Sequence, residues 1–322
     1  VRIPTLDDIL EARQVISPYI NRTPLISYKA LNKYAGLNIR LKHENHHPLG
    51  AFKIRGGINL LKKMSKTQKD KGVITVSTGN HGQSVASACS LFGVRALIIV
   101  PDNANPLKVQ SMENLGAVVE FHGDNFDEAR MYTEQLASDK GYRYVHPANE
   151  SDLVAGVATC FLEILEDFPE VNYIFVPMGG GSSAAAACIV TKALRPDVKV
   201  VAVQSAEAPA GYLSWKNKEI VKAPMRSISE GLATASGYAF PQKILWNSLH
   251  NFILVNDHEI MLTVSLMIEK AHCLAEEAGA AALAGVIQEK DRLAGENIAV
   301  IVTGSNITLE RLSNSINLYR ST

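Results

Sequence analysis

The segment around Lys53 has the composition expected of a reactive amine. It reads GAFKIRGG over residues 50–57, where a loop is predicted to enter a helix. Glycines let the backbone approach a ligand closely, and apolar neighbours disfavour the charged ammonium form. The neutral amine could then form a Schiff base with a carbonyl compound. Most lysines are solvated surface charges, so this segment carries weight only together with those described next.

A run of three glycines is the second candidate. Gly179, Gly180 and Gly181 follow a predicted strand and precede Ser182, Ser183 and an alanine-rich helix. Consecutive glycines let backbone N–H groups converge on one anion, and a helix start adds a partial positive charge. The segment therefore predicts a phosphate site, although it is neither GxGxxG nor a Walker loop. The alternative is a tight turn capped by serines.

The segment STGNHG at residues 77–82 also lies between a predicted strand and a predicted helix. It combines hydroxyls, an amide and an imidazole with the backbone donors of a helix start. These groups suit a carboxylate and a neighbouring phenolic oxygen better than an apolar ligand. A capped turn without a ligand is the alternative.

The segment VTGSN at residues 302–306 ends the last predicted strand. A hydroxyl there could hydrogen-bond a ring nitrogen without imposing a charge. Taken alone, the segment is more simply a turn at the end of a strand.

A zinc-protease pattern, HExxH, occurs at residues 43–47. It binds zinc only on a helix, which places both histidines on one face. Here Pro48 and Gly50 follow at once, and residues 39–42 have the pattern of a strand. We therefore predict no zinc site.

Length, composition and charge are those of an ordinary soluble globular protein. The 322 residues suit one large or two moderate domains, with 47% hydrophobic and 20% charged residues. Equal numbers of basic and acidic residues, 32 each, favour neither nucleic acid nor an anionic membrane as partner. The four cysteines form no CxxC pair and indicate buried free thiols in a reducing cytosol. Without a secretory core or a transmembrane run, we expect a cytoplasmic protein.

Short β-branched runs alternate with helical patterns along the chain. The runs lack in/out alternation, which indicates strands covered on both faces, and the repeated units predict a doubly wound α/β fold. The strands form two groups, so we expect two sheets. The predicted strands are 73–77, 96–100, 118–121, 144–146, 173–177, 198–204, 252–255 and 298–303. The predicted helices are 82–92, 106–115, 125–138, 152–166, 183–194 and 259–278.

In this order, GAFKIRGG, STGNHGQ, GGGSS and TGSN resemble the serine/threonine dehydratase family. These are fold-type II pyridoxal-phosphate enzymes, a family that includes serine racemase. The resemblance spans nearly the whole chain, with RTPL at 22–25, HP at 146–147, AG at 155–156 and AEEAG at 275–279. It implies a fold like that of the tryptophan synthase β subunit, with two doubly wound open sheets. A large domain of residues 1–69 and 150–322, a small mobile domain of residues 70–149 and a homodimer are also implied.

The resemblance also implies pyridoxal 5'-phosphate as cofactor and a role for each segment. Lys53 would hold the cofactor as a Schiff base and then act as base at the substrate α-carbon. Phe52 would pack beside the cofactor ring, Asn80 would donate to its phenolic oxygen, and Thr303 would face the pyridine nitrogen. The phosphate would bind to Gly179, Gly180, Gly181 and Ser182. The substrate carboxylate would bind to Ser77, Thr78, Gly79 and His81.

The reaction that the resemblance implies is α,β-elimination by an ammonia-lyase. A hydroxyl partner for the pyridine nitrogen makes a milder electron sink, which suits prompt loss of a β-hydroxyl group. L-Threonine, L-serine or a related β-hydroxy amino acid would give a 2-oxo acid and ammonia. An amino-acid racemase is the alternative, with the Thr78 hydroxyl as second acid/base opposite Lys53. A non-catalytic amino-acid sensor is a further alternative, against which the intact Lys53 argues.

The chain departs from the family pattern at several positions. Ala51 replaces the usual serine, Ser182 replaces a fourth glycine, and Glu276-Glu277 replaces a glutamate-proline pair. The family's divalent-metal carboxylates are not matched, because residues 204–210 read QSAEAPA with Glu207 as the only acid. We therefore predict no metal site and leave the choice of β-hydroxy amino acid open.

Overall fold

A computed structural model describes residues 1–322, and its ten strands form two separate sheets. The strands are β1 (Leu25–Ser27), β2 (Asn38–Lys42), β3 (Val73–Val76), β4 (Ala96–Val100), β5 (Val118–Phe121), β6 (Arg143–Tyr144), β7 (Tyr173–Pro177), β8 (Lys199–Ser205), β9 (Asn251–Val255) and β10 (Asn297–Ile301). The larger sheet has the order β1-β2-β10-β7-β8-β9 and the smaller sheet β5-β4-β3-β6. All neighbours pair in parallel except β1 and β2, which are antiparallel.

The predicted strands and the two sheets are confirmed, with strand ends within two residues of those predicted. All four residues of β3 are buried, as are the last four of β7, as expected for strands covered on both faces. The edge strand β1 was not predicted, because three residues after a proline carry no periodic signal.

Fourteen α-helices surround the sheets. They are α1 (Leu6–Ile16), α2 (Lys29–Ala35), α3 (Lys53–Lys63), α4 (Lys66–Lys71), α5 (Asn80–Leu91), α6 (Pro106–Asn114), α7 (Phe126–Lys140), α8 (Ser151–Asp167), α9 (Ser182–Leu194), α10 (Ala210–Asn217), α11 (Ala239–Ser248), α12 (Asp257–Ala271), α13 (Glu277–Gln288) and α14 (Leu309–Arg320). No helix has both the length and the apolar character needed to cross a bilayer.

One predicted helix is wrong. The run 259–278 is two helices, because α12 ends at Ala271 and α13 begins at Glu277. His272 adopts φ 51°, in the left-handed region, and its N–H donates to carbonyls of the last turn of α12. The residues between the helices bring Glu276 beside Gly304, whose carbonyl accepts from the Glu276 N–H at 3.0 Å.

Helix packing brings the two sheets together. α13 packs on the larger sheet, α9 packs on its strands β7 and β8, and α8 lies against α9. α3 contacts both α8 and α5, the helix that follows β3 of the smaller sheet. The loops after β3, β7 and β10 leave the carboxyl ends of parallel strands, where ligands bind in open α/β sheets. All four cysteines are buried and free, as predicted.

Candidate active site

Lys53 is the first residue of α3, and its loop is pinned to the loop after β10. The N–H of Phe52 donates to the carbonyl of Thr303 at 3.0 Å, and the N–H of Ser305 donates to the carbonyl of Gly50 at 2.9 Å. Gly50 has φ 63°, which favours glycine. The segments GAFKIRGG and TGSN, about 250 residues apart in sequence, are therefore held together by their backbones.

The Lys53 amine lies at the start of α9. Its Nζ donates to Ser182 Oγ at 3.3 Å and lies 5.1 Å from the centre of the Phe52 ring. Burial lowers the pKa of Lys53 from 10.5 to about 8. Such an amine is partly neutral at physiological pH, whereas an ordinary lysine is almost wholly charged there.

The glycine loop after β7 has the donor set of an anion cradle. The backbone N–H groups of six consecutive residues, 179–184, find no acceptor within the chain. Gly181 has φ 91°, and a Cβ at Gly179 would lie 2.1 Å from the carbonyl oxygen of Gly231, so both positions require glycine. Unpaired N–H groups at a helix start match the needs of a phosphate.

The loop after β3 offers a second set of free backbone donors. The N–H groups of Thr78, Asn80 and His81 have no acceptor within the chain. The Ser77 hydroxyl instead accepts from the N–H groups of Gly79 and Gly82, at 3.2 and 2.9 Å. Ser77 therefore shapes the loop, while the half-buried Thr78 keeps its side chain available.

The imidazole of His81 lies beneath this loop. Its Nε2 is 3.1 Å from the hydroxyl of Thr75, within the smaller sheet. Burial, together with the charge of Lys53, lowers the pKa of His81 to about 3. The ring is neutral at physiological pH, so an anion here would meet the backbone N–H of His81 and not an imidazolium.

Asn80, the first residue of α5, is held by two side chains to which the sequence assigned no role. Asn80 Nδ2 donates to Glu276 Oε1 at 2.7 Å, and Asn306 Nδ2 donates to Asn80 Oδ1 at 2.7 Å. Burial raises the pKa of Glu276 to about 7, although Lys108 and Asn80 act in the opposite direction. In the sequence, Glu276 could have been singled out as an acid shortly before Gly279. Asn306 could have been singled out as the amide of the TGSN segment.

A fully buried ionic cluster lies under the amino end of α3. Arg55 binds Glu44 through Nε at 2.7 Å and Glu163 through Nη1 at 2.7 Å, and Lys42 Nζ reaches Glu163 at 2.5 Å. Burial alone would raise the pKa of Glu44, but Arg55 and His47 hold it well below its usual range. Two acids and two bases thus form a neutral set that ties α3 to β2 and α8.

The HExxH segment belongs to this cluster and has no α-helical geometry. Residues Glu44–His46 form a single 3-10 turn. Glu44 is bound by Arg55, and His47 Nε2 lies 3.2 Å from Glu44. The geometry agrees with our interpretation that the pattern is not a zinc-protease motif.

The segment where the resembling family carries metal ligands is also engaged within the chain. The Gln204 amide receives the N–H of Tyr212 at 3.0 Å. The Ser205 hydroxyl lies 2.8 Å from both Glu207 and Asp257, so a second acid, missed in the sequence, stands beside the first. No group of three or more metal-binding side chains occurs in the structure.

An ion pair beside the site joins α6 to the segment between α10 and α11. Lys108 binds Glu230, and Arg311 of α14 lies 3.5 Å from the same carboxylate. Lys108 Nζ is also 3.8 Å from where a Cβ on Gly79 would lie. The Lys108 ammonium group therefore lies next to the loop after β3, whose backbone N–H groups have no acceptor.

Contacts thus connect the four segments that were singled out in the sequence. Lys53 meets Ser182, Phe52 meets Thr303, and Asn80 joins the TGSN loop through Asn306. A reactive amine beside an anion cradle, with amide and hydroxyl groups in the connected segments, fits a phosphorylated carbonyl cofactor such as pyridoxal phosphate.

Comparison with known proteins agrees with this fit. The family model described as pyridoxal-phosphate dependent enzyme matches residues 16–304. The chain is 33% identical to an L-threonine ammonia-lyase of Thermotoga maritima over 97% of this chain and 78% of that protein. It is 29% identical to an L-threo-3-hydroxyaspartate ammonia-lyase of Saccharomyces cerevisiae, covering 98% and 97%. The structure of maize serine racemase superposes with a TM-score of 0.92 at 28% identity, covering 99% of both chains. The chain therefore belongs to the family of pyridoxal-phosphate dependent enzymes, and its fold is fold-type II.

Proposed function

We propose that this enzyme is an ammonia-lyase that converts a β-hydroxy L-amino acid into a 2-oxo acid and ammonia by α,β-elimination. The observation that carries the proposal is the placement of the Lys53 amine, partly neutral at physiological pH, beside the anion cradle of residues 179–184. One group can then hold a carbonyl cofactor and afterwards move a proton at the substrate α-carbon.

The residues around Lys53 have distinct roles in this proposal. Lys53 would hold the cofactor covalently through its amine, and the N–H groups of Gly179, Gly180, Gly181 and Ser182 would bind its phosphate. Phe52 would pack beside the ring, Asn80 would donate to the phenolic oxygen, and the Thr303 hydroxyl would face the pyridine nitrogen. When bound, pyridoxal phosphate supplies an electron sink for the bond that breaks at the α-carbon.

The loop of residues 77–81 binds the substrate carboxylate in this proposal. Free N–H groups at Thr78, Asn80 and His81 supply donors at the start of α5. Ser77 and Gly79 act by shaping the loop, and His81 contributes its backbone and not its buried ring. Lys53 Nζ would take the α-proton and could return it to the β-hydroxyl group, which would then leave as water. Hydrolysis of the resulting enamine would give the 2-oxo acid and ammonia.

L-Threonine, L-serine or a related β-hydroxy amino acid is the proposed substrate class. The support is chemical, because elimination needs a β-leaving group, and comparative, because the Thermotoga and Saccharomyces relatives are named for L-threonine and L-threo-3-hydroxyaspartate.

Replacement of the amine tests the proposal. We expect Lys53→Ala to bind no cofactor covalently and to release no 2-oxo acid, while far-UV circular dichroism stays that of the wild type. Lys192→Ala is a matched control, because Lys192 is an exposed lysine in the last turn of α9. Borohydride reduction followed by peptide mapping identifies the linked residue. A trapped cofactor on any lysine other than Lys53 would refute the assignment.

A racemase is the second candidate, favoured by the likeness to maize serine racemase and by the hydroxyl of Thr78. Racemisation needs an exchangeable proton on the face opposite Lys53, whereas elimination does not. We expect Thr78→Ala to keep most 2-oxo acid formation and to lose side racemisation. A parallel loss of both activities would show that Thr78 serves elimination itself.

We also infer the larger organisation from the family likeness. A small domain of about residues 70–149, which contains the smaller sheet, closes on a large domain formed by the rest of the chain. The ion pair of Lys108 with Glu230 supports such closure, because it joins the two units beside the site. We propose that the enzyme is a homodimer and acts in the cytoplasm, where its four free cysteines would stay reduced.

A further inference from the structure

The side chain of Asn80 is the middle member of a directed chain of hydrogen bonds. The chain starts at the backbone carbonyl of Leu49, which accepts from Asn306 Nδ2 at 2.9 Å. The same nitrogen donates to Asn80 Oδ1 at 2.7 Å, and Asn80 Nδ2 donates to Glu276 Oε1 at 2.7 Å. Three side chains from three segments are therefore linked in series.

The direction of this chain is fixed at the Leu49 end. A carbonyl oxygen can only accept, so Leu49 forces the Nδ2 group of Asn306 toward itself and toward Asn80. Asn80 must then present Oδ1 to Asn306 and Nδ2 to Glu276. A carboxyl group offers an accepting oxygen whether or not it is protonated, so Glu276 is compatible with this orientation in both forms.

The position of Glu276 is itself tightly determined. Its N–H donates to the carbonyl of Gly304 at 3.0 Å, and only 7% of its surface is exposed. A Cβ on Gly304 would lie 2.5 Å from Glu276 Oε1, so the carboxyl group needs a glycine there. Burying an acid costs free energy, because the carboxyl group loses its contacts with water. If the position served only for packing, an apolar side chain would fill it without that cost.

We propose that Glu276 and Asn306 are positioning residues that lock the Asn80 amide in one orientation, so that its second Nδ2–H serves the phenolic oxygen of the cofactor. An amide without these partners could turn by 180° and present Oδ1 instead, which would repel a phenolate. This inference rests on the proposed role of Asn80 in cofactor binding.

The test is a titration of the apoenzyme with pyridoxal phosphate, followed by visible absorption. In Glu276→Ala we expect the dissociation constant to rise about ten-fold or more, because a hydrogen bond to a charged oxygen is weakened. We also expect absorption to shift from the long-wavelength band, in which the phenolic oxygen is ionised, to the short-wavelength band. Glu276→Gln keeps an accepting oxygen and should restore the wild-type spectrum.

Glu277→Ala is the matched control. Glu277 is a buried carboxylate one residue away, but it contacts Arg311 at 3.4 Å and not Asn80. We expect Glu277→Ala to have the wild-type dissociation constant for pyridoxal phosphate and the wild-type ratio of the two absorption bands. Asn306→Ala acts on the half-buried other end of the chain and should shift the bands in the same direction as Glu276→Ala, which keeps the test open if Glu276→Ala fails to fold.

Two results would overturn the inference. The first is an unchanged spectrum and affinity in both Glu276→Ala and Asn306→Ala. The second is an equal change in Glu277→Ala, which would indicate loss of general packing. Failure of the proposed function is separate from either, because it would appear in the wild-type protein itself, as no lysine-linked absorption band on addition of pyridoxal phosphate or as no release of ammonia and 2-oxo acid.

Discussion

Lys53 Nζ and Ser182 Oγ lie 3.3 Å apart, although 129 residues separate them in the sequence. Each residue begins a helix, α3 for Lys53 and α9 for Ser182. The contact places an amine at the edge of a row of free N–H groups. Covalent attachment and phosphate binding, two different chemical tasks, are thereby brought within the reach of one small cofactor.

The pH dependence of cofactor uptake should report the pKa of Lys53. Burial lowers that pKa to about 8, so about half of the amine is neutral near pH 8, whereas an ordinary lysine is almost wholly charged there. We expect the rate of covalent uptake by the apoenzyme to rise with pH and to level off above about pH 8. Stopped-flow absorbance at several pH values measures this, and a rate still rising steeply at pH 10 would contradict a desolvated Lys53.

Glu276 should make the folded apoenzyme less stable as pH rises. Its pKa is raised by burial from 4.5 to about 7, opposed by Lys108 and assisted by Glu277 and Glu230. The acid form is favoured in the folded state, so the stability it contributes is complete below about pH 4.5 and is lost as pH rises through about 7.

Glu276→Gln removes this titration. Between about pH 5 and 8, the free energy of unfolding of the wild type should fall by about 2 kcal/mol more than that of Glu276→Gln. Urea denaturation at the two pH values measures the difference. Parallel profiles for the two proteins would show that Glu276 titrates normally.

We expect Arg55 to contribute more to the free energy of unfolding than most other side chains. Replacement by leucine leaves the buried carboxylates of Glu44 and Glu163 short of a partner, which costs about 3–5 kcal/mol of unfolding free energy. Arg13 pairs with Glu166 at an exposed site, so Arg13→Leu should cost at most about 1 kcal/mol. Urea denaturation of both apoenzymes compares them, and equal losses would contradict the importance of burial.

Much of the fold was predictable because buried parallel strands leave a strong local signal. The runs at β3, β7 and β10 are apolar and end in glycine or hydroxyl residues, so both the sheet and its ligand edge are visible in the sequence. The break at His272 was not, since a left-handed residue other than glycine gives no pattern. Short connecting helices such as α4 and α10 were not predicted either, because six to eight residues carry too little periodicity to identify a helix.

The site was predictable where one segment carries one task, as with Lys53 or the glycine loop. It was not predictable where a function depends on residues that meet only after folding. The hydrogen-bond chain through Asn80 joins residues 80, 276 and 306. The buried ionic cluster joins residues 42, 44, 55 and 163. The buried position of the His81 ring also depends on β3, which supplies its partner Thr75.

Chelators should leave most of the activity in place. A divalent cation needs several oxygen ligands, and residues 204–210 offer Glu207 as their only carboxylate. The carboxylates of Glu207 and Asp257 are both engaged with the Ser205 hydroxyl. We expect EDTA-treated enzyme to keep its elimination rate within about two-fold and magnesium or calcium to add nothing. A large loss that either cation restores would show a metal site that we have misplaced.

The most direct test of the central claim is a product analysis on one set of L- and D-β-hydroxy amino acids. Ammonia, 2-oxo acid and the enantiomer of the remaining substrate are measured together, for the wild type and for Lys53→Ala. We predict ammonia and 2-oxo acid in equal amounts from an L-substrate, little D-amino acid, and neither product from Lys53→Ala. Conversion of L- to D-substrate that outpaces ammonia release in the wild type would contradict the lyase assignment and establish the racemase instead.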